Sequence, residues 1–321
     1  MKTPKIFITR KCPEERLKAL KELGEVEMWE KEDVPCPRGL LLEKAKEADA
    51  LLTMLSDQVD EELLNKAENV KVIANLAVGY DNINLQYAKE KKVIITNTPD
   101  VLTDTTADLT FALILTAARR VVEAADYVKA GKWTSWSPLL LAGADVHHKT
   151  IGIVGMGKIG QAVAKRAKGF DMNILYHNRS RDYDAENNLD AAYTSFDELL
   201  AQSDFVVCMT PLTNETKHMF NAESFRKMKS SALFINSSRG GTVVEKDLIK
   251  ALESGEIAGA GLDVFEKEPI SADHPLLKLP NTVALPHIGS ATAETRYAMI
   301  DCCVQNILSV LTGKPPITPL K

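Results

Sequence analysis

The chain has 321 residues, longer than one hydrophobic core usually supports, so two domains are expected. Apolar residues make up 45% and charged residues 26%, ordinary for a globular protein. A formal net charge of −5 gives no reason to expect nucleic acid or an anionic membrane as partner.

No apolar run approaches the roughly 18 residues that span a bilayer. The N-terminus M-K-T-P-K-I-F-I-T-R reads as a charged lead into a strand rather than a signal peptide. The five cysteines (Cys12, Cys36, Cys208, Cys302, Cys303) are scattered and form no C-x-x-C pair, which fits a reducing cytoplasm.

Lys5–Thr9 reads as a strand and Glu14–Leu23 as a helix with Leu17 and Leu20 inward. There follow a strand at Val26–Trp29, a loop with Pro35 and Pro37, and a helix at Leu40–Ala48. Then come a strand at Ala50–Met54, a helix at Glu61–Ala67 and a strand at Val70–Asn75. Such alternation makes an α/β domain of roughly 95 residues. In open α/β sheets ligands bind beyond the carboxyl ends of the strands, which nominates Leu55–Ser56 and the turn V-G-Y-D-N-I. Backbone amides at Val78 and Gly79 can hold a carboxylate; an ordinary glycine turn is the alternative.

Asp100–Ala130 is the longest helical stretch, with Pro99 and Asp100 at its start and Gly131 at its end. Its middle, A-D-L-T-F-A-L-I-L-T-A-A, is apolar nearly all round and expected to be buried. Its length suggests a link between two domains, with Thr105 and Thr106 in its first turns. Gly131–Lys149 contains two tryptophans, three consecutive leucines and a proline without a period. It is expected to cover another subunit's surface, the alternative being an arm folded onto its own domain.

The strongest signal is Ile151–Gly160, I-G-I-V-G-M-G-K-I-G: a buried-strand run followed by Gly155, Gly157 and Gly160 in G-x-G-x-x-G spacing. A helix at Gln161–Lys168 and a strand at Met172–Tyr176 complete a βαβ unit. Gly155 permits the tight turn, Gly157 lets the backbone approach a pyrophosphate, and Gly160 lets the helix pack closely. The amides of Lys158 and Ile159 stand at the helix start, where the dipole favours an anion. After the second strand an NAD site wants Asp or Glu for the ribose hydroxyls. The chain has His177-Asn178-Arg179-Ser180-Arg181 instead. Arg179 and Ser180, with Asn178 and Arg181 as further candidates, suit a 2′-phosphate. This favours NADP and leaves NAD possible; a solvated basic turn accepting either is the alternative.

Phe205–Thr210 is a strand with the turn Pro211–Leu212 after it, and Ala232–Ile235 a strand followed by N-S-S-R-G. Leu248–Glu253 is a helix. Gly259–Val264 is a strand with Asp263 near its end, followed by F-E-K-E-P and V-A-L-P-H-I-G-S. Ala293–Leu311 is a terminal helix, and G-K-P-P-I-T-P a loop. Arg239, Glu268 and His287 thus stand beyond three strand ends at the cofactor edge. Reduction of a 2-keto acid needs these side-chain types. His titrates near neutrality and can protonate the keto oxygen. A carboxylate on its other nitrogen orients it and stabilises its charged form. Arg clamps carboxylate and keto oxygen with a planar fork.

The ordered set V-G-Y-D-N-I, T-P-D-V-L-T-D-T-T-A-D-L, G-M-G-K-I-G, N-S-S-R-G, G-L-D-V-F-E-K-E-P and P-H-I-G-S-A-T resembles the D-isomer-specific 2-hydroxyacid dehydrogenase family over nearly the whole chain. W-T-S-W-S-P and Y-H-N-R-S are similar to its glyoxylate/hydroxypyruvate and bacterial 2-ketogluconate reductases. The resemblance implies two doubly wound parallel-sheet α/β domains with a cleft between them. One is a flavodoxin-like substrate domain of residues 1–99 and 290–321. The other is a Rossmann dinucleotide-binding domain of residues 100–289 with a dimerisation arm at 131–149.

It assigns Arg239, Glu268 and His287 as catalytic. It puts Gly155, Met156, Gly157, Lys158, Ile159, Gly160, Asn178, Arg179, Ser180, Ser237, Ser238, Arg239, Asp263, His287, Ile288 and Gly289 at the cofactor, with Thr106 and Pro211 lining that site. Val78 and Gly79 match its substrate-carboxylate turn; with Leu55 and Ser56, nominated by their place beyond a strand end, and with Arg239 and His287, they make up the expected substrate site. A homodimer is implied, with Trp136 a candidate to reach the partner's active site, and no metal. The expected activity is NADPH-preferring reduction of glyoxylate, hydroxypyruvate or 2-ketogluconate. An NAD-linked D-lactate or phosphorylated-hydroxyacid dehydrogenase is the alternative. A nucleotide-sensing corepressor of the C-terminal-binding-protein type shares fold and triad, but the long disordered tails expected of one are not seen.

Overall fold

In a computed structural model that describes residues 3–320, the apolar runs form strands paired in parallel in two sheets. The chain divides into two compact units. One runs to Leu102 and resumes at Ala291; the other is Thr103–Ser290.

The first unit holds β1 (Lys5–Ile8), β2 (Glu25–Met28), β3 (Ala50–Thr53), β4 (Val72–Asn75) and β5 (Ile94–Thr96) in the order β2-β1-β3-β4-β5. That is the flavodoxin-like order. Every residue of β3 and β4 is buried, which is why both read as unbroken apolar runs. The edge strand β2 instead carries Glu25 and Glu27, charges that discourage further pairing.

The second unit holds β6 (Thr150–Val154), β7 (Asn173–His177), β8 (Ala191–Tyr193), β9 (Phe205–Cys208), β10 (Leu233–Asn236), β11 (Gly259–Leu262) and β12 (Thr282–Ala284). Their order is β12-β11-β10-β9-β6-β7-β8. It is the Rossmann order with one strand added, and its switch point lies between β6 and β9. Apolar clusters fill both faces of this sheet, one around Phe111, Ile151 and Tyr176, the other around Phe220, Phe225 and Phe234.

Some elements differ from the sequence reading. Glu14–Leu23 divides into a 3₁₀ turn at Glu14–Arg16 and a helix at Lys18–Leu23. Asp100–Ala130 is not one helix, although the chain does pass from the first unit to the second within it, at Leu102–Thr103. It forms Thr103–Ala118 and Val121–Lys129, both in the second unit, with Arg120 left-handed (φ 52°) between them. The cause lies in the arm: Ala144 N donates to Ala118 O at 2.8 Å, so that carbonyl has a partner outside the helix. Gly143 makes this possible, since a Cβ there would lie 2.1 Å from the same oxygen. Nor is the first helix buried all round, since Asp108 and Ala112 are exposed. Helices at Leu85–Glu90, Tyr183–Leu189, Phe196–Gln202 and Ala222–Lys227, with β5, β8 and β12, were not distinguished in the sequence.

Candidate active site

The glycine loop follows β6 at the switch point. Gly155 has φ +105°, and a Cβ on it would sit 2.7 Å from the Met209 carbonyl carbon. At Gly160 a Cβ would meet Gly155 O at 2.1 Å, so only glycine lets the helix Lys158–Lys168 start this close to the turn. Gly157, its N-cap, has nothing within 4 Å of such a Cβ. The outer glycines are thus fixed by packing, while the middle one leaves an open cradle above a helix N-terminus, as a pyrophosphate requires.

Beyond β7 the Asn178 side chain turns back to this loop. Its Oδ1 accepts from Met156 N at 2.7 Å. A backbone amide can only donate, so the oxygen faces inward and Nδ2 is left as an outward donor. Arg179 and Ser180 are exposed beside it. Arg181, a further candidate from the sequence, is paired within the chain. It grips Glu186 through two bonds of 2.9 and 2.6 Å and lies over the Tyr183 and Tyr193 rings.

Three further turns carry the remaining groups. After β11, Asp263 is fully buried; its Oδ1 accepts from Ile288 N at 2.8 Å, and its backbone oxygen accepts from His287 N at 2.9 Å. Burial pushes the Asp263 carboxyl up, against the Ile288 amide, the His287 charge and the Gly289 amide. Among the described residues its buried Oδ2 has no hydrogen-bond partner of good geometry; the Gly289 backbone is its near neighbour, with a Cβ there 3.3 Å away. An orphaned acceptor in a dinucleotide-binding unit fits the carboxamide N–H of a nicotinamide. Thr106 is buried beside Gly289, and Ser237 Oγ lies 2.5 Å from Thr110 Oγ1, which closes this wall.

After β12, His287 is left-handed (φ 53°), and its Nδ1 lies 2.6 Å from Glu268 Oε2. The two side chains are 24% and 28% exposed, partly screened yet reachable. Burial pushes the Glu268 carboxyl up, but the His287 bond and charge, the Phe265 amide and the Arg239 charge outweigh it and hold it below the ordinary value. An ionised carboxylate only accepts, so Nδ1 donates and Nε2 is left for chemistry. After β10, Arg239 Nη1 donates to Ser238 O at 2.8 Å. Next to it, a Cβ on Gly240 would lie 1.8 Å from the Phe265 carbonyl carbon, so glycine there lets the loop bearing Glu268 lie against the Arg239 turn.

The second unit therefore brings Glu268 and His287 into contact, with Arg239 near enough to act on the Glu268 carboxyl. Pro211 is exposed after β9, and its carbonyl accepts from Thr216 Oγ1 at 2.6 Å. In the first unit, Leu55 and Ser56 follow β3, and Val78 and Gly79 follow β4. Arg10 Nη2 donates to Ser56 Oγ at 3.3 Å. Neither the Val78 nor the Gly79 amide donates to an acceptor among the described residues. The sequence reading missed Asn236, whose Oδ1 accepts from Ser238 N and Oγ, and Gly240. A polar residue closing an all-buried strand is the signal that marks Asn236. Among the described residues no group of three or more His, Cys, Asp or Glu is placed to hold a metal. No helix among them is long and apolar enough to cross a membrane.

Residues 111–289 match the family model of the D-isomer specific 2-hydroxyacid dehydrogenase NAD-binding domain. The chain is 50% identical over 317 residues to a glyoxylate reductase of Thermococcus litoralis, spanning 98% of this chain and 95% of that protein. Among solved structures, a protein from Thermus thermophilus superposes with TM-score 0.93 at 42% identity, covering 99% of this chain and 100% of that one. An NADPH-dependent glyoxylate/hydroxypyruvate reductase from Sinorhizobium meliloti, solved with NADP and malonate, does so with TM-score 0.87 at 30% identity, covering 99% and 97%. With more than half its residues matched by the family model and curated relatives aligned along almost its full length, the chain belongs to the D-isomer specific 2-hydroxyacid dehydrogenases, NAD(P)-dependent oxidoreductases that act on CH–OH groups.

Proposed function

We propose that the protein is an NADPH-preferring reductase of glyoxylate and hydroxypyruvate, with 2-ketogluconate a further substrate of the same kind. The product is the 2-hydroxy acid, of D configuration where it is chiral. Relatives near 50% identity that are glyoxylate reductases support the substrate class. The observation that carries the cofactor reading is Asn178. Its oxygen is taken by Met156 N, so it offers a 2′-phosphate two N–H donors where an NAD site offers an acceptor. Arg179 beside it adds positive charge.

The chain's own groups account for the proton. Glu268 has both oxygens engaged, Oε2 by His287 Nδ1 and Oε1 by Phe265 N at 3.0 Å, so the carboxylate is fixed in plane and direction. The imidazole is thereby held with Nε2 as its remaining donor. Asp263 and the Gly157 turn would hold a nicotinamide dinucleotide, which would supply a hydride to the keto carbon. As negative charge develops on the keto oxygen, the His287 Nε2 proton moves to it. The new O–H bond forms, and the ring is left neutral with Nδ1–H still on Glu268; a solvent proton restores it. In the second unit, Arg239 holds the keto oxygen and carboxylate of the substrate with two N–H groups; in the first unit, the Val78 and Gly79 amides are the groups suited to take a carboxylate.

A homodimer belongs to the same reading. Trp133, Trp136 and Leu139 are 58%, 78% and 81% exposed in the single chain, and Val121, Val122 and Val128 add apolar surface. An apolar patch of this kind supports a second copy as its cover, with Trp136 as the residue offered to the partner's site. The five cysteines are all free, which supports a cytoplasmic location.

Initial rates with glyoxylate, hydroxypyruvate, 2-ketogluconate and pyruvate, each with NADPH and NADH, test the proposal. At least about tenfold higher kcat/KM with NADPH is expected. Preference for NADH with pyruvate would replace it by the D-lactate-type reading.

A further inference from the structure

The V-G-Y turn of the first unit is held from behind by side-chain amides. Asn75, the last residue of β4, is fully buried. Its Nδ2 donates to Gly79 O at 3.1 Å, and its Oδ1 accepts from Thr53 Oγ1 at 3.2 Å and from Asn82 Nδ2 at 3.4 Å. Asn97, just beyond β5 and also buried, donates from Nδ2 to Val78 O at 2.8 Å. Thr98 N donates to Ala77 O at 2.9 Å. Asn82 further donates to Met54 O at 3.3 Å and Asp57 O at 2.8 Å, tying the cluster to the Leu55–Ser56 turn. Asp57 closes that turn, its Oδ2 accepting from Met54 N at 2.8 Å and from Thr9 Oγ1.

A trans peptide is planar, and its N–H points opposite to its C=O. The carbonyls of Ala77, Val78 and Gly79 are held by Thr98, Asn97 and Asn75. The N–H groups trans to them belong to Val78, Gly79 and Tyr80, so each is turned away from its holder. Among the described residues none of these three amides donates to an acceptor in the chain. Successive amides without partners form an anion-binding concavity. Rotating any of these peptide planes would strand a buried donor on the Asn75, Asn97 or Thr98 side, which keeps the planes where they are.

We infer that Asn75 and Asn97, with Asn82 behind Asn75, are positioning residues that fix the Val78, Gly79 and Tyr80 amides as a three-donor seat for the substrate carboxylate. The inference rests on the proposal that this turn receives the carboxylate, and it adds the Tyr80 amide to the two nominated from sequence.

Asn75→Leu and Asn97→Ser test it in the full chain. The KM of glyoxylate and the Ki of oxamate, a 2-keto acid isostere, should rise together by about tenfold. The kcat should stay within about twofold, the pattern of lost uniform binding. The NADPH Kd, which reads the second unit, should not move. Unchanged KM and Ki, or a fall in kcat with KM unchanged, would overturn the inference. If Asn75→Leu does not fold, Asn97→Ser decides alone, since among the described residues the one side-chain bond of Asn97 is to Val78 O. Gly79→Pro deletes one donor and leaves both asparagines in place. If it leaves KM and Ki unmoved, the carboxylate assignment of the turn is wrong; if it raises them while the asparagine variants do not, only the positioning role fails.

Discussion

Asn178→Asp is the sharpest perturbation of cofactor choice. The Met156 N–Oδ1 bond of 2.7 Å survives, because aspartate keeps an acceptor there. The outward group changes from a two-proton donor to a carboxylate oxygen. For NADPH this removes a hydrogen bond to a charged group, about 1.5–3 kcal/mol. It adds repulsion from the 2′-phosphate of about 1 kcal/mol at an exposed site. The NADPH/NADH ratio of kcat/KM should therefore fall by about 2.5–4 kcal/mol, roughly seventyfold to nearly a thousandfold. NADH gains in absolute terms as well, since the new oxygen can accept from its ribose hydroxyls. Initial rates at saturating 2-keto acid measure the ratio, and the melting temperature serves as control. An unchanged ratio at unchanged Tm would mean that the outward face of Asn178 is not where the 2′-position binds. A large drop in Tm would mean that the Met156 bond does not survive the exchange.

Gly240→Ala puts a methyl group 1.8 Å from the Phe265 carbonyl carbon, where backbone rather than a flexible tip must give way. A loss of at least about 1–3 kcal/mol in stability is expected by denaturant titration, with kcat falling further as the Glu268 loop is displaced. Asp263→Asn should raise the melting temperature of the cofactor-free protein at neutral pH and weaken NADPH binding about tenfold. The sign follows from its raised folded-state value: protonation-linked stability is present below the ordinary 3.8 and lost as pH rises through the folded value, whereas asparagine has no charge to bury at any pH. Calorimetry with and without NADPH checks both halves. For Glu268 the sign is reversed, because its folded-state value is depressed. Its contribution to stability is full above the ordinary 4.5 and lost as pH falls through the lower folded value, so its acid limb in kcat/KM should lie below pH 4.5. Glu268→Gln should remove that limb and cost about tenfold to a hundredfold through the lost charge-assisted bond.

The sheets were legible because β3, β4, β9, β10 and β11 are buried on every residue and therefore apolar on nearly every residue. The three-residue strands β5, β8 and β12 give too few positions for a period to show. The glycine loop was legible because three glycines at fixed spacing have few other uses. The break at Arg120 was not, since its cause is a carbonyl taken by Ala144, more than twenty positions away. The pairing of Arg181 was hidden for a related reason: its charge is evident in H-N-R-S-R, but its partner Glu186 lies on the following helix. Asn75 closes the all-buried β4 as Asn236 closes β10, so its position was a legible signal; what it holds was not, because only the acceptor of its amide, Gly79 O, shows that.

The relay itself is assembled from contacts between the ends of neighbouring strands. A left-handed backbone at a non-glycine residue costs of the order of 1 kcal/mol, and His287 has one, at φ 53°. Two bonds to a single residue hold it there: His287 N to Asp263 O at 2.9 Å and Ile288 N to Asp263 Oδ1 at 2.8 Å. The Glu268 loop is fixed in turn by Glu266 N on Glu245 Oε1 at 2.6 Å and by the close approach of Phe265 to Gly240. Asp263, through its main-chain oxygen and its carboxylate, thus sets the backbone at His287–Ile288, the Glu268 carboxylate sets the ring, and all of these residues lie in the second unit. The geometry of the pair is therefore a property of that unit alone. Of the polar atoms on the imidazole and the two carboxyl groups, those without a hydrogen bond among the described residues are His287 Nε2 and Asp263 Oδ2, a proton donor and an acceptor for an amide. A keto oxygen and a nicotinamide require one of each.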